Sequence, residues 1–194
     1  MPGPVAERIN IAKTGSARLT QNTNPIEIVG PDPNWPNLFQ EESHRIEQAL
    51  SGLRPRAFHI GSTAVPGLCA KPIIDVMIGL GEMDEAEIVP AMASIGYSYH
   101  PEAGEPGRLF FSRWHTRSYH VHVVKLHSWT FWRHILFRDY LTCHPELCGQ
   151  YAKLKQDSAV KFRLDRPGYT ESKSDFIDST VKRATLEAFI TIDG

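Results

Sequence analysis

The stretch His59-Ile60-Gly61-Ser62-Thr63-Ala64-Val65-Pro66-Gly67-Leu68-Cys69-Ala70-Lys71-Pro72-Ile73-Ile74-Asp75-Val76-Met77-Ile78 decides how this chain folds. Arg56 to Ile60 reads as a strand that ends at the Gly61-Ser62 turn. Thr63 to Lys71, with Pro66 and Gly67, reads as a loop or a short turn of helix. Pro72 to Leu80 is then a buried strand, because Ile73, Ile74, Val76, Met77 and Ile78 leave Asp75 as its only charge. A carboxylate there is costly unless a cation, a metal or hydrogen-bond donors compensate it. Ion pairing to Lys71, Arg113 or Arg117 is the structural explanation. The functional one is a phosphate held by backbone amides at Gly61-Ser62, against a metal-bound acidic group.

Working outward, Ile26 to Val29 is a short strand candidate closed by Gly30-Pro31-Asp32-Pro33. Asn34 can cap a helix with Trp35, Leu38, Phe39, Ile46 and Leu50 near one face, stopped by Ser51-Gly52. Asp84 with Glu87 resembles a capping box for a helix that Pro90 kinks and Gly96 ends. Leu109 to Trp114 and Tyr119 to Leu126 read as an antiparallel hairpin turning near His115 to Ser118. Helices follow over Trp129 to Leu141, from Pro145 toward Phe162, and from a Thr170 cap to about Ile190. The spacing of Trp129, Phe131 and Trp132 suits helix packing. The order predicts an α+β fold, a mixed sheet flanked by helices with a C-terminal helical portion.

The chain has 194 residues, enough for a sizeable core, with 41% hydrophobic and 22% charged residues and a net charge of −1. Such a balance gives no strong field toward nucleic acid or anionic lipid. No apolar run approaches the ~18 residues that span a bilayer, so no membrane association is expected. Residues 1 to 25 read as a polar tail and 26 to 194 as one domain. Cys69, Cys143 and Cys148 form no paired framework, which suits a reducing, cytoplasmic setting. Cys143-His144-Pro145-Glu146-Leu147-Cys148 reads as a helix–helix junction, since no second ligand pair stands at finger spacing.

In Tyr119-His120-Val121-His122-Val123-Val124, strand alternation puts His120 and His122 on one face, about 7 Å apart in Cα position. Such a pair could flank a metal or bind an anionic group; equally, it could be internally bonded. If its strand neighbours that of Asp75, the three converge. Lys71, Arg108, Arg113, Arg117 and Lys125 lie near these strands and could clamp phosphate charge, or simply be solvated.

The run from His59 to Gly67, followed by Ala70-Lys71-Pro72-Ile73-Ile74-Asp75, resembles the signature of the GrpB family. Asp32-Pro33-Asn34-Trp35, His120-Val121-His122-Val123, Phe137-Arg138-Asp139-Tyr140-Leu141, Tyr151-Ala152-Lys153-Leu154-Lys155, and Tyr169-Thr170 leading to Lys173 and Phe176-Ile177 extend the resemblance. It covers about residues 26 to 190. It implies a nucleotidyltransferase-like fold; in some bacteria the family is fused to dephospho-CoA kinase. The wider superfamily holds two Mg²⁺ ions between two carboxylates one residue apart and a third on a neighbouring strand. Here Met77 stands at the second position, and its thioether suits Mg²⁺ poorly. Where the third carboxylate would be sought, there are His120 and His122.

Three outcomes follow from the resemblance. Asp75, a histidine and a distant acid such as Glu102, Glu105 or Asp139 rebuild a divalent-metal site for Mg²⁺ or Mn²⁺. Or Lys71, Arg138 and Lys173 supply the positive charge without a second metal. Or catalysis is lost and a nucleotide-binding or phosphate-binding module is left. The leading expectation is transfer of a nucleotidyl or phosphoryl group from an NTP to a small molecule. Gly61, Ser62 and Thr63, with Arg138 and Lys173, would hold phosphate. Asp75 and His122 would meet metal, and Asp75, His120, His122 and Lys71 would carry the chemistry. A hydrolase built on the His-x-His pair is a third class, and a polymerase is disfavoured by the near-zero charge.

Overall fold

The computed structural model describes residues 24–103, 106–114 and 117–192, with the side chains of 102 and 189–192 outside the description. Among the described residues the chain runs α1 (Trp35–Ala49), β1 (Arg56–Ile60), β2 (Ile73–Leu80), α2 (Glu85–Ser94), β3 (Ser98–Tyr99), β4 (Arg108–Trp114) and β5 (Ser118–Lys125). Four helices follow: α3 (Trp129–Cys143), α4 (Pro145–Lys161), α5 (Arg166–Glu171) and α6 (Ser174–Ile192). The strands form one mixed sheet in the order β1-β2-β5-β4-β3, and only the central β2–β5 pair is parallel. The α+β expectation, with its helical C-terminal portion, is met.

Alternation along β2 and β5 divides the side chains between two layers. Ile74, Val76 and Ile78 of β2, with Tyr119, Val121 and Val123 of β5, pack against Trp35, Leu38 and Ile46 of α1, Leu50 just past its end, and Ile88 and Met92 of α2. Fully burying each such side chain contributes about 1.5–3 kcal/mol. On the opposite face Ile60, Met77 and Val124 meet Phe131 of α3. Asp75, His120 and His122 share this second face, where α3 leaves the sheet incompletely covered.

Local signals explain most boundaries. Asp84 caps α2 by accepting from the Ala86 amide at 3.0 Å, and Ser128 caps α3 by accepting from Phe131 at 3.2 Å. The junction reading of Cys143 to Cys148 holds, with α3 ending at Cys143 and α4 starting at Pro145. Other expectations are corrected. Ile26 to Val29 forms no sheet strand: Val29 bridges only to Ala70, and the Ile26 amide bonds the Arg163 carbonyl at 2.8 Å. The Asn34 side chain does not cap α1; the Asn34 amide is itself bound by Asp32 Oδ1 at 2.8 Å. Thr170 lies within α5, which Asp165 caps through the Gly168 amide with a proline in its first turn. Trp129 and Trp132 stay 61% and 41% exposed, because only Phe131 of the three turns toward the sheet. The expected hairpin forms between β4 and β5, but residues 115–116 of its turn lie outside the described residues, as does most of the expected N-terminal tail.

A buried polar knot fastens the far side of the sheet. Glu42 of α1, 5% exposed, pairs with Arg113 of β4 and with Arg45, and accepts from the Tyr97 hydroxyl at 2.8 Å. Removing one partner of such a set strands the other charges. Glu42→Ala should therefore lower stability by about 3–5 kcal/mol. Urea unfolding checks this, and a loss close to that of an exposed α1 substitution such as Glu41→Ala would contradict it.

Candidate functional site

Pairing of β2 with β5 in parallel sets Asp75 opposite His120 and Met77 opposite His122. The carboxylate is thereby met by both imidazoles: Asp75 Oδ1 lies 3.4 Å from His120 Nδ1 and 3.7 Å from His122 Nε2. The convergence expected of these three residues is present. Arg113, a candidate partner from sequence, is engaged by Glu42 instead. Burial pushes the Asp75 carboxyl upward, but the N–H groups that the two histidines turn toward it outweigh this and hold the group below the usual carboxylate range.

His122 is fixed from its other side. Its Nδ1 lies 3.3 Å from Nη1 of Arg108, and a guanidinium can only donate. Nδ1 is therefore the acceptor, and the imidazole proton sits on Nε2, toward Asp75. Burial lowers the His122 pKa, in keeping with a neutral ring. His134 of α3 stacks obliquely on it, with ring centroids 5.2 Å apart, and burial pulls His134 down to about 3.

The Gly61 turn presses on the same carboxylate. Gly61 has φ 72°, and a Cβ there would run into Asp75. This close approach is why the turn carries glycine. Ser62, Thr63 and Ala64 then form a short 3-10 turn. Thr63 bonds His59 Nε2 at 3.0 Å, and His59 stacks on Phe39 of α1 at 4.7 Å. Burial brings His59 down to about 4.

Above this floor opens a cleft of about 480 Å³, walled by α3, α4, α5 and α6. Of the residues singled out from the sequence, Gly61, Ser62, Thr63, Lys71, Asp75, His120, His122 and Lys173 line it. Arg138 does not. Its guanidinium donates to the His59 carbonyl at 2.8 Å and to Asp139 at 2.7 Å, which also keeps Asp139 from the cleft. Glu105 and the side chain of Glu102 lie outside the described residues.

Sequence reasoning missed Lys155, Tyr151, Tyr169 and His134. Lys155, only 2% exposed, donates to the Cys69 carbonyl and sits 4.9 Å from the Tyr151 ring centroid. Lys71 and Lys173 flank Tyr169 at 5.3 and 4.1 Å. Burial lowers the pKa of all three ammonium groups, Lys71 included, bringing Lys155 to about 8 and Lys173, beside Lys71, to about 7. Lys155 and Lys173 come from the C-terminal half, so only the three-dimensional fold unites them with Lys71 and Asp75. In the sequence of α4, Lys155 looks like any surface cation.

A protein-built Mg²⁺ site would need several oxygen ligands. Among the described residues Asp75 is the one carboxylate at the cleft, Met77 is buried below it, and the imidazole nitrogens aim at the carboxylate as donors to an acceptor. Among the described residues no group of three or more His, Cys, Asp or Glu side chains is arranged to hold an ion. The residues present therefore do not fit the two-ion arrangement. His122 Nε2 faces Asp75 with its proton in this arrangement, and would have to release it to meet a metal.

The neutral histidines make the fold acid-sensitive. A histidine whose folded pKa lies below its ordinary 6.5 binds protons more readily when unfolded, so its stabilisation is complete above that pH and lost below. Asp75, depressed in the fold, acts in the same direction at lower pH. The thermal midpoint should fall as pH drops from 6.5 to 4, and the fall should be shallower in His134→Gln; equal slopes would contradict this.

Known proteins share this architecture. The family model described as GrpB protein matches residues 25–183. The UPF0157 protein PA4798 of Pseudomonas aeruginosa is 36% identical over 165 residues, covering 82% of this chain and 67% of its own. YqkA of Bacillus subtilis is 32% identical over 161 residues, with 82% of this chain matching 47% of the relative. The chain thus spans about two thirds of one of these relatives and about half of the other. The crystal structure of the conserved protein GrpB from Enterococcus faecalis superposes with a TM-score of 0.77 at 30% identity, covering 84% of this chain and 99% of that one. With the Gly-Ser turn, the strand carboxylate and the His-x-His pair all inside the matched region, the chain belongs to the GrpB family.

Proposed function

We propose that the cleft binds the phosphates of a nucleoside triphosphate and transfers a nucleotidyl or phosphoryl group to a small molecule. The observation that carries this is the convergence of Lys71, Lys155 and Lys173 on the cleft whose floor is Asp75, His120 and His122. Among the described residues, three partly or fully buried ammonium groups face one carboxylate in the cleft, an excess of positive charge that phosphate complements. Backbone amides of the Gly61-Ser62 turn add donors that need no charge. Lysines aimed at a phosphate can also stabilise the charge that develops on a leaving pyrophosphate.

A second reading is favoured by Met77, which stands where a second carboxylate would be expected. In it the same cleft binds nucleotide or phosphate and performs no transfer. It predicts binding that is indifferent to divalent metal and no pyrophosphate with any acceptor.

Calorimetry with ATP, CTP, GTP and UTP, each with and without Mg²⁺ and Mn²⁺, separates these readings. At least one nucleotide should bind, and Lys173→Ala should weaken it about tenfold or more, the ~1.5–3 kcal/mol of a hydrogen bond to a charged group. Absence of binding by every nucleotide would sink both readings, and Asp75→Asn with unchanged metal and nucleotide binding would make Asp75 structural. Lys173 also sets a pH dependence. With a pKa near 7 it is charged below that pH and neutral above it, so affinity should fall between pH 7 and 8.5. In Lys173→Arg, which stays protonated, the fall should flatten.

A further inference from the structure

We propose that His120, positioned by Asp75, is the proton acceptor of the cleft through its Nε2, and that His122 cannot serve in that role. The inference rests on reading the cleft as a site of phosphate transfer, and it assigns the residue that activates the acceptor there. Both imidazoles face the same carboxylate oxygen, at 3.4 and 3.7 Å, yet their free sides differ. A carboxylate only accepts, so the nitrogen of each ring that faces Asp75 carries the proton: Nδ1 in His120 and Nε2 in His122. The remaining nitrogen of His122 is taken by Arg108. The remaining nitrogen of His120, on the far side of its ring from the carboxylate, meets no hydrogen-bond partner among the described residues, and the ring lines the cleft.

The ring is also held in place. Phe110 and Trp114 stand edge-on to it at 5.2 and 5.5 Å. Trp114 is tethered in turn, donating from Nε1 to Ser112 Oγ at 3.0 Å, and Ser112 is the cross-strand neighbour of His120. An imidazole with one nitrogen bonded to a carboxylate and the other unprotonated in a cleft is the arrangement of a general base. In the step it serves, an acceptor X–H gives its proton to His120 Nε2 while X bonds to phosphorus. The bond from phosphorus to the leaving phosphate oxygen breaks, and its electron pair departs with that oxygen, toward the lysines. The imidazolium that results is balanced by Asp75. No other reactant is required.

Nitrogen-15 spectra of the histidine rings at pH 7.5 test the assignment, with signals identified through His120→Gln and His122→Gln. The expected pattern is an Nδ1–H tautomer for His120 and an Nε2–H tautomer for His122. Diethylpyrocarbonate should modify His120 well before His122, and inorganic tripolyphosphate should slow that modification. Asp75→Asn should leave the His120 tautomers mixed, a change that a merely structural carboxylate would not cause. With a nucleotide that binds, His120→Gln should keep the Kd within about twofold and remove at least 100-fold of phosphate or pyrophosphate release, the loss typical of a general base. An Nε2 proton on His120, preferential modification of His122, or retained turnover in His120→Gln each overturns the proposal. If no nucleotide binds, the proposed function fails, whereas the tautomers and the modification order still decide whether His120 is the open acceptor.

Discussion

A carboxylate in the middle of a buried strand has to be given donors, and Asp75 receives them only because β2 and β5 run parallel in one register. Slide β5 by two residues and His120 no longer stands opposite Asp75; slide it by one and both histidines turn into the apolar layer under α1 and α2. The same shift would drive Val121 and Val123 out of that layer. Core packing and the polar floor therefore demand the same alignment. Neither can be altered without disrupting the other, so the chemistry of the floor is built into the folding of the sheet.

The helical half answers the sheet with charge. Lys155 is anchored to the Cys69 carbonyl in the loop that leads into β2, and Lys71 leaves that loop directly ahead of the strand. Lys173, at the junction of α5 and α6, closes the set over Tyr169. Aromatic faces hold these ammonium groups without neutralising them. Burial nevertheless costs each of them part of its proton affinity, and an incoming anion would restore it. The cleft is thus organised around charge that is held in reserve.

Much of this was legible in the residues. The lone aspartate in an apolar run marked a strand with something to explain, and the Gly61 turn marked a close backbone approach. Alternation placed the two histidines on one face. What stayed hidden depends on contacts between segments far apart in the chain. Glu42 gives no sign in α1 that it will meet Arg113 and Tyr97 across the sheet. The lysine of Tyr151-Ala152-Lys153-Leu154-Lys155 that turns inward is Lys155, a choice set by helix packing against the Cys69 loop. Thr170 looked like a cap because Asp165-Arg166-Pro167, the stronger signal, stood a turn earlier. Arg138 has the charge to bind phosphate, but the position of α3 beside β1 gives it a backbone carbonyl instead.

That last contact has a bearing on how the molecule coexists with its own copies. β1 is an edge strand, and an edge offers unpaired carbonyls and amides to any passing strand. By bonding the His59 carbonyl, Arg138 occupies one of those openings with a charged group, and Arg56 places a second cation at the start of the same strand. The opposite edge, β3, is only two residues long. Neither border of the sheet presents a long, neutral ladder, so the fold carries its own protection against growing edge to edge into aggregates.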